Sequence, residues 1–165
     1  MDEQIKIERN ALDILETIVS LSCLVGVVIY LILAWRSIPE QIPGHYNAAG
    51  QVDRWGDKSE LIVLPIVSWI LYGLITLIER FPQVWNTGVR VTSENRASVY
   101  RLLKSMIAVV KMFMLLMFAS LTVISSLSLS LPVWYALAFL VALFGAIAYF
   151  IVRLSRLRSE SPAEQ

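Results

Sequence analysis

Four long apolar runs, roughly Ile14–Trp35, Leu61–Ile78, Leu103–Ile124 and Leu131–Val152, leave few folds open to this chain. Each comes close to the roughly 20 helical residues that a bilayer core requires, and backbone in lipid must satisfy its own N–H and C=O groups, as a helix does. An apolar share of 57% against 16% charged residues, with a mean hydropathy of +0.66, points the same way. The expectation is an all-α integral membrane protein, a four-helix bundle in which residues 1–165 form a single four-span domain. The second run is short and carries Pro65 in its first turns, where amides lack helical acceptors and proline is tolerated. The first run is longer than the apolar region of a signal peptide, follows a mixed-charge rather than basic segment and has no clear small-x-small cleavage site. It reads as a retained anchor.

Orientation follows from Lys and Arg, which accumulate in cytoplasmic loops. One side holds Lys6, Arg9, Arg80, Arg90, Arg96, Arg101, Lys104, Arg153, Arg156 and Arg158; the other holds only Arg36, Arg54 and Lys58. Ten against three predicts a multi-pass protein of the cell membrane with both termini and loop 79–102 in the cytoplasm. Loop 36–60 is then an ordered extracytoplasmic segment, and Trp35, Trp55, Trp134 and Tyr135 fall near its boundary, as amphipathic rings prefer. The net charge of +1 gives no signal for direct nucleic-acid binding. Cys23 is the sole cysteine, which rules out an intrachain disulfide and a thiolate metal cluster.

Small residues should bring the helices together, because lipid gives apolar side chains no reason to seek one another. Ala138, Ala142 and Ala146, with Gly145 beside them, form a stripe on the last span, and Ser22 with Gly26 offers a matching groove on the first. Packing within one chain is the plainer reading, and a homodimer seam is the other. Ionisable groups within spans are functional candidates. Glu16, Lys104 and Lys111 qualify: the lysines lie two turns apart on nearly one face, and Glu16 has a compatible depth to pair with either. A structural ion pair with Lys111 snorkelling to the interface is the plainer reading, and a proton or ion relay is the sharper one.

In the cytoplasmic loop, Thr92 or Ser93 can cap a helix that has Glu94 in its first turn. Trp85, Arg90, Arg96 and Arg101 form either an interfacial anchor among lipid phosphates or a surface for a cytoplasmic regulator. The outer stretch IPGHYNAAGQVDRWGDK holds the only histidine, His45, with Tyr46, Asn47, Asp53, Trp55 and Lys58 as further candidates for contact with a ligand or partner. One histidine and two aspartates are a thin zinc set, and the stretch lacks a serine or cysteine nucleophile, so no catalytic residue, metal or cofactor is assigned. Gly44, Gly50 and Gly56, with Pro39 and Pro43 at its entry, suggest a compact lid in which Asp53 accepts hydrogen bonds from His45 or from backbone amides.

PEQIPGHYNAAGQVDRWGDK closely resembles the pattern Ile-Pro-x-His-aromatic-Asn-x-x-Gly-x-x-Asp-x-Trp-Gly-x-Lys of a bacterial and archaeal membrane domain of unknown function. That domain also forms the N-terminal part of the SdpI-type immunity proteins. The match falls on Ile42, Pro43, His45, Tyr46, Asn47, Gly50, Asp53, Trp55, Gly56 and Lys58, and the later VTSENRASVYRLLK is similar to the family's second conserved segment. The resemblance implies a helical membrane fold with this loop facing outward. It also implies a non-enzymatic role of the immunity type, in which an external toxic peptide is met outside and a cytoplasmic regulator is held at the membrane. The chain departs from those proteins by ending after four spans. A small transporter or channel subunit using Glu16, Lys104 and Lys111, and an accessory subunit of a larger membrane complex, are the alternative readings.

Overall fold

A computed structural model describes residues 7–159; Lys6 and the side chain of Arg158, both counted above, lie outside what it describes. Helix α1 (Ala11–Ala34) opens on a reciprocal cap in which Asn10 Oδ1 accepts from the Asp13 amide and Asp13 Oδ2 accepts from the Asn10 amide. Two antiparallel strands follow, β1 (Gln41–Tyr46) and β2 (Val52–Asp57), and then a 3-10 turn over Lys58–Ile62. Helix α2 (Val63–Ile78) is joined through a second 3-10 turn, Pro82–Val84, to α3 (Arg96–Ser126), and α4 (Trp134–Ser159) ends the described chain. Among the described residues, four helical segments are long and apolar enough to cross a membrane. At 1.5 Å per residue, α3 is about 46 Å long and exceeds the hydrocarbon thickness of roughly 30 Å.

The all-α expectation is corrected by the hairpin. Its strands carry Ile42, Tyr46, Val52 and Trp55, residue types that suit a pleated surface, but Pro43 and Gly44 interrupt the alternation that would announce a strand. The ladder is irregular at that place, with register shifts on either side of His45.

Helix α3 is the hub. Helices α1, α2 and α4 each pack along it, whereas α1 and α2 meet only lightly. Near the hairpin, Val27 and Leu31 of α1 join Ile38, Ile42 and Leu61 in a cluster of buried apolar side chains, with Trp35 and Ala119 packed against it. The expected pairing of small-residue faces does not occur. Ala138, Ala142 and Gly145 are exposed on α4, and a Cβ placed on Gly26 or Gly145 would meet nothing within 4 Å. Side-chain polarity supplies the contacts instead: Tyr30 reaches Ser126 from α1 to α3 at 2.7 Å, and Tyr135 of α4 bonds Ser120 of α3.

The helix expected from Thr92 onward begins, as an α-helix, at Arg96. Thr92 closes the preceding turn instead of capping the helix, because Thr92 Oγ1 accepts from the Asn95 amide and Asn95 Oδ1 accepts from the Thr92 amide, and Asn95 is the N-cap. Glu94 therefore sits in that turn rather than in the helix.

Candidate functional site

The hairpin is knitted by Asn47. Its Oδ1 accepts from the amides of Ala49 and Gln51, its own amide donates to Gln51 O, and its carbonyl accepts from the Gly50 amide. Gly50 takes the left-handed conformation, φ +76, and lies so close to the α3–α4 turn that a Cβ would stand 2.3 Å from the Leu131 carbonyl oxygen. Across that contact, the Leu131 amide donates to Gly50 O at 2.9 Å. Two further bonds tie the hairpin to the same end of the bundle: the Tyr46 hydroxyl donates to Leu129 O, and the Ser125 hydroxyl donates to Pro43 O. Burial pushes the Tyr46 phenol above its ordinary value, so it stays protonated and able to donate.

Arg54 crosses the sheet. Its guanidinium makes two bonds to the Glu60 carboxylate, at 3.1 and 2.8 Å, and one to Gly44 O, and the Glu60 partnership raises its pKa further. The pair lies directly over the backbone of two glycines: a Cβ at Gly44 would be 2.7 Å from Arg54 Nη2, and one at Gly56 2.5 Å from Glu60 Oε1. Ile42, almost fully buried, points from the strand into the core cluster.

Three motif side chains are left exposed. His45 Nδ1 lies 2.6 Å from Asp53 Oδ1, with the two side chains 64% and 44% exposed. A carboxylate only accepts, so Nδ1 carries the proton and, in the neutral ring, Nε2 is presented as an acceptor. Trp55 is 53% exposed on the neighbouring strand. Lys58, expected among the contact residues, is instead buried against the Trp35 ring, 5.0 Å from its centroid. Asn47 is committed to the turn.

The opposite end of the bundle gathers the ionisable groups. Lys111, 2% exposed, places Nζ 2.9 and 3.0 Å from the two Glu79 oxygens, 3.3 Å from Glu16 Oε1 and 3.4 Å from Thr76 Oγ1, below the Tyr72 ring. Ser20, wholly buried, donates to Glu16 at 2.7 Å. One helical turn away, Asp13 receives two bonds from Arg101, at 2.9 and 2.6 Å, and stands 3.5 Å from Lys104. Three carboxylates meet three cations, so the network closes on zero net charge. The expected structural ion pair is present: Glu16 and Glu79 hold the Lys111 ammonium, and moving it away would strand both carboxylates. Lys104 pairs with Asp13 and not with Glu16.

Arg101, assigned above to a cytoplasmic surface, is turned into this network and is lost to that surface. Trp85 remains half-buried, donating its indole N–H to Ile78 O and tilted against Tyr100 with centroids 6.1 Å apart. Arg90 is exposed, and Arg96 is half-buried in the first turn of α3. Sequence reasoning missed Asp13, Glu79 and the Arg54–Glu60 bridge. Glu79 carried a usable signal, since it is the first charge after the second apolar run, on the same side as Glu16 and Lys111. Among the described residues, no three His, Cys, Asp or Glu side chains come together as a metal site.

No solved structure matches the chain. An uncharacterized protein of Archaeoglobus fulgidus is 38% identical over 66 residues, a match covering 35% of this chain and 36% of the archaeal protein, so the chain spans about a third of that relative's length. Residues 23–68, which run from the middle of α1 through the hairpin into α2, are similar to the family described as "Domain of unknown function (DUF1648)".

Proposed function

We propose that this chain is a non-enzymatic membrane receptor of the SdpI immunity type. The hairpin faces outward and meets a membrane-active peptide through His45, Asp53 and Trp55, while the loop bearing Trp85, Arg90 and Arg96 meets a cytoplasmic regulator. The observation that carries the reading is the division of the hairpin. Most of its motif residues hold its shape, three remain exposed, and the shape is bonded to the far end of α3. A ligand shifts an equilibrium only by its differential affinity for two states, and the hairpin is bonded to α3 through Ser125 and to the α3–α4 turn through Leu129 and Leu131. The test is protection of a sensitive bacterial strain against secreted membrane-active peptides. Replacing His45, Asp53 and Trp55 together with alanine is expected to abolish protection at unchanged membrane abundance, and protection equal to the parent would sink the reading.

The Glu16–Lys111–Glu79 contact favours a second reading, a small transporter or channel subunit, because an ion pair buried this deeply in a spanning segment is costly to maintain for packing alone. Purified protein in liposomes would then move an ion or solute, and Lys111→Met would stop it. Absence of flux with folded protein removes this reading.

A further inference from the structure

Between α1 and α2, at the hairpin end, Ile32 and Trp35 face Ile62, Ile66 and Trp69 across an apolar groove of about 450 Å³. Lys58 adjoins one of its walls. It lies four residues before Ile62, and its ammonium rests on the Trp35 ring that forms one wall. The side chain is 8% exposed, yet its nearest carboxylate oxygen, Glu40 Oε1, is 3.6 Å away on a side chain that is itself 88% exposed. That separation is an ion pair outside hydrogen-bond reach, and an exposed partner contributes little. An ammonium has three donors, and neither the Trp35 ring nor a carboxylate at that distance satisfies them, so they are open to a stronger acceptor. The structure therefore sets an ammonium, whose carboxylate partner is distant and exposed, beside an apolar trough, with the exposed Arg36 next to Trp35 in sequence as a second positive group.

We propose that this groove binds an anionic phospholipid, its acyl chain lying between Trp35 and Trp69 and its phosphate on Lys58, where it takes the place of Glu40. The apolar walls select a lipid over a soluble anion, because a free phosphate gains nothing from them. Net charge selects among lipids: a zwitterionic headgroup brings its own cation to compete with Lys58, and an anionic one does not. The site lies beside the hairpin, uses none of His45, Asp53 or Trp55, and stands whether or not the chain is a receptor.

The test uses the full chain with Trp55, Trp85 and Trp134 replaced by phenylalanine, so that Trp35 and Trp69 alone report. In vesicles mixing phosphatidylcholine with phosphatidylglycerol, one or the other dibrominated, quenching gives the relative affinity of the two lipids. A charge-assisted contact of this kind supports about a tenfold preference for phosphatidylglycerol. Lys58→Gln should reduce that preference to about one, and Glu40→Gln should raise it, since the competing carboxylate is gone. A parent protein without preference overturns the proposal, as does a preference unchanged in Lys58→Gln. If Lys58→Gln does not accumulate, Glu40→Gln decides alone, and a preference no higher than the parent's refutes the lipid site. Loss of the preference on adding inorganic phosphate would assign Lys58 to a soluble anion and refute it equally.

Discussion

At the hairpin end, the bonds that hold the molecule together run largely through backbone: Asn47 closes a turn, Gly50 lies against Leu131, and Pro43 and Leu129 offer carbonyls to Ser125 and Tyr46. At the opposite end they run between side chains of three helices, Asp13 and Glu16 from α1, Glu79 after α2, and Arg101, Lys104 and Lys111 from α3. Backbone geometry tolerates few residue types at a given place. A network of charges asks only that opposite signs meet and that the sum vanish. The first end should therefore break when a single atom is added, and the second when a charge is removed without its complement.

The largest effect is expected at Lys111. Lys111→Met leaves Glu16 and Glu79 facing each other in a buried site, and removing one partner of such a pair destabilises by about 3–5 kcal/mol. Unfolding in detergent should show that loss as a lowered midpoint. The double variant Glu79→Gln, Lys111→Met removes one charge of each sign, keeps the sum of the network at zero and should recover most of it. A single variant as stable as the parent would show that the pairs carry no stability.

Glycines give the next contrast. Gly50→Ala forces a side chain into the left-handed region, at about 1–2 kcal/mol, and also into the Leu131 carbonyl, so the total should exceed 2 kcal/mol. Gly145→Ala, in the exposed interior of α4 with open space around it, should be neutral or stabilising by up to about 1 kcal/mol. Equal costs at the two sites would remove the contact between hairpin and α3–α4 turn from the account.

The same contrast explains how much could be read from the chain alone. The four apolar runs foretold the four helices, since length and composition suffice for that. The hairpin motif was visible as a set of fixed spacings because glycine and asparagine at turns are local requirements, yet its strands were hidden by Pro43 and Gly44. The charge network was only half legible. Glu16, Lys104 and Lys111 stood out as charges in apolar runs, but which acid meets which cation depends on how three helices lean on α3, and nothing in the spacing of one helix encodes that. Likewise Lys58 read as a polar loop residue, when the approach of Trp35 from another element buries it.

The smallest effect concerns Asp57, which closes β2 and caps the 3-10 turn. Its carboxylate accepts from Ser59, whose amide lies 2.8 Å away, and these bonds hold its pKa below the ordinary value of 3.8. A group with a depressed folded pKa adds stability that is present above its unfolded value and lost as pH falls through the folded one. The comparison to make is parent against Asp57→Asn, because every other acid titrates alike in both. At about pH 6 the parent should unfold at the higher midpoint, and the gap should hold until pH approaches 3.8, then close below it. Lys111→Met measured over the same range should be destabilised already at about pH 6, because its defect is an unpaired buried charge. If the Asp57 gap instead persists unchanged below the folded pKa, the cap acts through its shape and not its charge. The hairpin end would then owe nothing to ionisation at this position.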